Sequence, residues 1–198
     1  MRAMSRSPDV MYTELADFYR ERAEHFRNRF QRLIPFGDMI ADRWAKAKLL
    51  GFGQGTSVYD SVLVLGDVSV GEHTWVGPQV VLDGAGASLS VGDYCSICSG
   101  VQIYTHHTVA WAVTGGKRPY EYAPVAIGSC VYIGPNTVIA KGVNIGNHVI
   151  IGAQSLVNRA LPDYAVAWGQ PARQVGRIVI TEDGSDYCIQ YLKEKNCE

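Results

Sequence analysis

The chain has 198 residues, nearly half of them hydrophobic (47%), and its charges almost cancel to a net of -1. That length suits one domain, or one with a small appendage, and the apolar content suffices for a core. The even charge gives no global basic excess for nucleic acid, and no apolar run reaches the length of a membrane span. Residues Met1 to Asp9 lack the apolar stretch of a secretory signal. Five cysteines, an odd number without framework spacing, point to reduced thiols in a cytoplasm.

Residues 9–34 read as a helix with Leu15, Phe18, Tyr19, Arg22, Phe26, Phe30 and Leu33 on one side. Asp9 is placed to cap it, and Pro35 with Gly37 to end it. A second helix is expected from Asp38 to Leu50, where Ile40, Trp44, Ala47 and Leu50 recur at helical spacing. A hairpin of this kind, residues 1–52, suits a cap on the open end of a repeat structure; its arginines and aromatics also fit a membrane surface or partner. Gly51 to Gly55 resembles a phosphate loop only in composition, since it follows a helix and lacks the Lys-Ser/Thr ending.

From Val58 a sixfold beat begins: Val58, Val64, Val70, Val76, Leu82, then an insertion at Gly84-Ala85-Gly86, then Val91, Ile97 and Ile103. After a break it resumes as Ile127, Ile133, Ile139, Ile145, Ile151 and Val157, with Gly128, Gly134, Gly146 and Gly152 one position on. Helices repeat at three, four and seven and single strands alternate, so unbroken hexads signal a chain winding as a coil of short strands. Glycine is expected at the corners because it enters positive φ freely. Cys95 and Cys98 form a C-x-x-C within the beat; without a second pair to complete a tetrahedral site, they read as packing and corner residues, and no metal is expected.

The break, residues 104–124, is the one long excursion, and a loop of that length in a compact repeat is unusual unless functional. At its root stand His106 and His107, suitable bases near neutral pH. Tyr104, Trp111 and Tyr120 offer rings for stacking, and Glu121 a carboxylate to orient an imidazole. Asp83, before the insertion, is placed to bind a polyol or simply to shape a turn. Past Pro162 the coil ends; Arg159, Arg173 and Arg177 collect near the exit, where arginines pair well with phosphate oxygens. Arg177 to Thr181 reads as a closing strand and Asp183-Gly184 as a turn, while Asp186 to Lys193 fits strand or helix; Cys188 and Cys197 carry no pattern.

The stretches Val131-Tyr132-Ile133-Gly134, Val143-Asn144-Ile145-Gly146, Val149 to Val157 and Gly169-Gln170-Pro171-Ala172-Arg173 resemble the hexapeptide-repeat acyltransferases, which include galactoside, maltose and xenobiotic acetyltransferases. The likeness runs roughly from Val58 to Arg177. It implies an all-β solenoid, a left-handed parallel β-helix over residues 53–175, with a C-terminal tail at 176–198. It also implies an acetyl-CoA-dependent enzyme, a homotrimer, and active sites in clefts between neighbouring prisms. Residue by residue, it places the catalytic base at His106 or His107, with His106 continuing the strand more directly. Coenzyme contacts fall at Gly134, Gly152, Ala153, Asn158, Arg159, Pro171 and Arg173. Acceptor contacts are expected, from residue chemistry and not from the likeness, at Asp83, Tyr104, Trp111 and Glu121. Tyr132 stands where several relatives have tryptophan.

The expected acceptor is a sugar hydroxyl, because an alcohol gains more from a general base than an amine does. A nucleotide-linked amino sugar is the alternative. A γ-class carbonic anhydrase on the same prism is a third reading, which the spacing of His73, His106, His107 and His148 does not match. A non-catalytic spacer is the fourth.

Overall fold

The computed structural model describes residues 7–192. Two compact units divide between Asp42 and Arg43.

In the first unit, helix α1 spans Pro8–Phe30. Ser7, not Asp9, caps it: the Ser7 hydroxyl accepts from the Val10 N–H at 3.4 Å, while Pro8 occupies the first turn, where a missing N–H costs nothing. Gln31 turns left-handed at φ 53° and stops the helix before the Pro35 signal is reached. Helix α2, Phe36–Ile40, lays Phe36 edge-on against Phe18 at 6.1 Å, and Arg22 donates to the Met39 carbonyl at 3.0 Å. The single helix expected over 38–50 is therefore two pieces. Ala41 is extended (φ -76°, ψ 129°), and the chain restarts as α3, Arg43–Leu49.

α3 belongs with the second unit. Its Lys46 ammonium donates to the carbonyls of Tyr59, Asp60 and Val62 at 2.7–3.2 Å, the first corner of the coil. Ala47 and Phe52 join the main hydrophobic core.

From there the chain winds. Short parallel strands stack in three columns, and along the regular stretch partners lie eighteen residues apart, three hexads per turn: Tyr132 on Ile150, Val138 on Leu156, Ala126 on Asn144. One column carries Val58, Val76, Ile97, Ile133 and Ile151; the second Leu82, Ile103, Ile139 and Val157; the third Val70, Val91, Ile127, Ile145 and Leu161. All of these side chains are buried, most of them fully, in one core cluster. The sixfold aliphatic beat is thus the inward-facing position of each strand.

The glycines work differently from the expectation. None of Gly71, Gly128, Gly134, Gly146 or Gly152 has positive φ; the left-handed residues stand two places later, at His73, Cys130, Asn136, His148 and Gln154. What the glycine slot requires is close approach. A Cβ on Gly146 would lie 2.6 Å from the Asp163 backbone N and closer still to its carboxylate, and one on Gly128 2.6 Å from the Asn147 Oδ1. Those side chains form a ladder along one edge. Asp93 accepts from Glu72 N–H, Ser129 from Asp93 N–H, Asn147 from Ser129 N–H and Asp163 from Asn147 N–H, at 2.7–3.0 Å. Corner amides that would otherwise go unpaired are satisfied this way.

At the end of the coil, Ala165–Gly169 pairs antiparallel with Ala172–Ile180, which pairs in turn with Tyr187–Tyr191. The closing strand is longer than the Arg177–Thr181 reading, and the 186–193 segment holds the strand Tyr187–Tyr191; Lys193 and Cys197 lie outside the described residues. Asp183 shapes the turn between them: hydrogen bonds from Thr181 and Ser185 hold its carboxyl down to about 2.

Candidate active site

Two irregularities of the coil sit on adjacent turns. The strand Val81–Val91 carries the 84–86 insertion, and Asp83 pairs in parallel with Tyr104, the last regular residue before the excursion. Thr105, fully buried, locks them together. Its hydroxyl donates to the Asp83 carbonyl at 2.9 Å and accepts from the N–H groups of Gly86 (3.3 Å) and Ala87 (3.2 Å). Gly86 is small by necessity: a Cβ there would stand 2.5 Å from the Tyr122 ring and 2.6 Å from the His106 Cβ.

The excursion leaves and returns as a two-stranded ribbon, His106 opposite Tyr122 and His107 opposite Glu121, with helix α4 (Val109–Val113) at its far end. Adjacent residues of a strand point to opposite faces, so the two histidines meet different neighbours. His106 Nδ1 lies 3.5 Å from Asp83 Oδ2. The pair satisfies the ion-pair distance but not hydrogen-bond geometry, and His106 Nδ1 is buried with no hydrogen-bond partner among the described residues. The Asp83 carboxyl is only 6% exposed, and its other oxygen accepts from Ala85 N–H at 3.0 Å. Asp83, expected either to reach an acceptor or to shape a turn, thus lies beside the imidazole while holding the turn at Ala85. His107 Nε2 lies 3.6 Å from Glu121 Oε2, which also receives Lys141 Nζ at 3.2 Å. Glu121 thus ties the ribbon to the next stretch of coil.

Of the aromatic candidates, Trp111 and Tyr120 pack edge-to-face at 5.6 Å, and Tyr120 continues through Tyr122 (6.5 Å) to His106 (6.2 Å). Tyr104 stands apart from this chain of rings, its hydroxyl donating to Gln102 at 2.8 Å. Tyr122, Thr105, Gly86 and Lys141 were not singled out from the sequence. The one legible hint was that the insertion at 84–86 interrupts the same column as the excursion.

The coenzyme candidates gather toward the end of the coil. Gly134 lies directly under Ala153, where a Cβ would come within 2.5 Å of the Ala153 N, and Gly152 lies under Trp168. Ala153 is exposed, and Ser155 ties this corner to the exit by donating to the Gly152 carbonyl and accepting from Gly169 N–H. Asn158 and Arg159 are exposed just past the strand that pairs with Val138–Ile139, so they occupy the turn next to Ala140 and Lys141. Pro171 follows a cis peptide in the exit turn, and the Arg173 guanidinium is exposed while donating to the Ala172 carbonyl at 2.9 Å. Lys141 therefore links the two groups: it contacts the excursion through Glu121 and sits one turn from Arg159.

Cys95 and Cys98 are buried packing residues; burial pushes the Cys95 thiol up, and its Sγ donates to the Gly128 carbonyl at 3.2 Å. Among the described residues no group of three or more His, Cys, Asp or Glu side chains is placed to hold a metal ion, and no helix is long and apolar enough to cross a membrane.

Residues 124–159 match the family model for the bacterial transferase hexapeptide (six repeats). The galactoside O-acetyltransferase of Escherichia coli is 31% identical over 129 residues, covering 56% of this chain and 64% of that one. A dTDP-3-amino-3,6-dideoxy-α-D-galactopyranose 3-N-acetyltransferase from Aneurinibacillus thermoaerophilus is 40% identical over 60 residues, 30% of this chain and 31% of its own. The chain thus spans less than two thirds of the length of these curated relatives. Among solved structures, a hexapeptide-repeat acetyltransferase from Vibrio cholerae complexed with acetyl-CoA matches with a TM-score of 0.59 at 25% identity, over 81% of this chain and 87% of that one. Residues 124–159 thus carry the hexapeptide repeat, and over the stretches these likenesses span the chain is similar to hexapeptide-repeat acetyltransferases.

Proposed function

We propose that the chain transfers acetyl from acetyl-CoA to a hydroxyl of a sugar or sugar-like acceptor, of the kind found in cell-surface polysaccharide precursors. The observation that carries this reading is the His106 imidazole held with Nδ1 toward the buried Asp83 carboxylate. A carboxylate on Nδ1 favours the tautomer whose Nε2 is free to accept a proton, and stabilises the imidazolium that forms. The acceptor hydroxyl gives its proton to His106 Nε2 as its oxygen attacks the thioester carbon. The tetrahedral oxyanion takes a backbone N–H from the coil wall, and collapse expels the thiolate, which recovers the proton from His106. No acyl-enzyme is needed. His107 is the other candidate base; its engagement with Glu121, itself held by Lys141, suits it better to fixing the ribbon.

Acetyl-CoA, in this reading, lies against the two successive corners of Gly134, Gly152 and Ala153 and of Asn158 and Arg159, and reaches toward Pro171 and Arg173, whose cation suits its phosphates. The chain works in the cytoplasm as a homotrimer of closed left-handed prisms, each cleft taking the excursion of one subunit and the wall of another. Helix α3 and the segment up to residue 52 cover the open end. Tyr104, Trp111, Tyr122 and Glu121 face the acceptor.

A second reading, N-acetylation of a nucleotide-linked amino sugar, draws on the 40% identical stretch shared with an N-acetyltransferase of that kind. Free-thiol release from acetyl-CoA, measured against simple glycosides and nucleotide amino sugars in parallel, separates the two. Turnover with a glycoside is the expected result. Turnover only with an amine moves the assignment to the second reading, and no saturable acetyl-CoA binding at all removes both.

A further inference from the structure

One edge of the coil carries a column of left-handed residues, one per turn, each donating its backbone N–H to the turn before: His73, Tyr94, Cys130, His148 and Tyr164, at φ 52–64°. Because their backbones repeat, their side chains stack. His73 lies on Tyr94 with ring centroids 5.0 Å apart, and His148 lies on Tyr164 at 5.0 Å and 2° from parallel. Between the two stacked pairs comes Cys130, the only position in this run of five without a ring. Two strand spacings separate Tyr94 from His148, about 10 Å, so a planar ring inserted above Cys130 would sit from each neighbour at the spacing that the occupied positions show.

A second observation points to the same place. Cys130 and His148 line a groove of about 530 Å³ together with Ile150, Ile178, Ile180, Ile189, Tyr132 and Asp186. This size and lining suit a small organic ligand. The groove lies between the coil and the C-terminal hairpin, and it shares no residue with the candidate active site or the coenzyme candidates.

We propose that the vacant position over Cys130 and the adjoining groove form a binding site for a small molecule with a planar, uncharged aromatic ring on an apolar body. The ring completes the stack between Tyr94 and His148, its face over the polarisable thiol. The body displaces water from the four isoleucines. An anionic ligand is disfavoured by the Asp186 carboxylate.

N-phenyl-1-naphthylamine, a neutral aromatic fluorophore, tests the site on the full chain. Saturable binding with enhanced emission is expected, unaffected by saturating acetyl-CoA, together with slower alkylation of Cys130 by iodoacetamide while Cys188 reacts as before. Cys130→Tyr, which puts a protein ring in the vacant place, should weaken binding roughly tenfold, the equivalent of losing one stacked pair, whereas Cys130→Ala should keep it. Tyr94→Ala, which removes one wall, serves as an independent check should Cys130→Tyr fold poorly. Equal affinity in the wild type, Cys130→Tyr and Tyr94→Ala overturns the proposal. So does displacement by acetyl-CoA, or alkylation of Cys130 unaltered by the fluorophore.

Discussion

The regular coil from Val125 to Ala160 and the excursion from Tyr104 to Pro124 follow each other in sequence and obey opposite rules. In the coil every sixth side chain is buried, and the same backbone hydrogen bond repeats turn after turn, as in Tyr132 N–H to Val149 and Val138 N–H to Ser155. In the excursion most side chains face solvent, and order rests on a few unlike anchors: Thr105, Gly86, the Trp111–Tyr120 contact and the Glu121–Lys141 ion pair. Repetition gives rigidity but only one kind of surface. A constellation of unlike groups needs the repeat to fail, and here it fails on two neighbouring turns at the same place, so that Asp83 from one meets His106 from the other.

If that contrast is right, damage should register as stability in one region and as turnover in the other. The largest stability loss is expected from Ile139→Ala, a fully buried inward position, at about 2–5 kcal/mol in urea unfolding; a smaller loss would mean the column is not tightly packed. Gly146→Ala forces a methyl against the Asp163 backbone and should cost about 1–3 kcal/mol as an overpacking strain. The distinction between close approach and positive φ is sharpened by comparing it with Gly142→Ala, where φ is 75° and the nearest atom, the Ala123 Cβ, is 3.3 Å away. There the left-handed penalty of about 1–2 kcal/mol dominates, with only a mild squeeze on Ala123 beside it. Against the root of the excursion, Gly86→Ala pushes on the His106 Cβ and the Tyr122 ring; it should cost about 1–3 kcal/mol as Gly146→Ala does and in addition lower kcat by about tenfold or more, since misplacing a base by a fraction of an ångström is costly. Lys141→Met is the mildest: its pair with a half-exposed Glu121 contributes about 0.2–1 kcal/mol, so a slightly higher KM with an unfolding loss no larger than that is expected.

The sequence and the structure part company in instructive places. The aliphatic hexads announce the columns because one physical demand, an inward apolar side chain on each face, recurs at each strand. The glycines that follow them were read as left-handed corners, yet the left-handed conformations fall on His73, Cys130, Asn136, His148 and Gln154. Composition alone does not tell a glycine needed for φ from one needed for contact, because the clashing partner, such as Asp163 for Gly146, sits a whole turn away. The break between α2 and α3 was hidden for a related reason: Ala41 and Asp42 carry no helix-breaking signal, and Ile40, Trp44 and Ala47 keep helical spacing across the break. The histidines were visible as a pair at the root of a long loop. Their different surroundings were not, because Asp83 lies more than a coil turn upstream and Glu121 arrives only when the ribbon closes. Thr105, wedged between the two irregular turns, looks in sequence like any strand-end threonine.

The central claim is that the break in the repeat exists to hold the His106 imidazole against Asp83 as a general base. Steady-state acetyl transfer by the wild type, His106→Ala and His107→Ala, each checked for an unchanged melting curve, addresses it directly. His106→Ala should lose at least roughly a hundredfold in kcat, and His107→Ala distinctly less. Equal turnover in all three proteins, or the larger loss in His107→Ala, would contradict it.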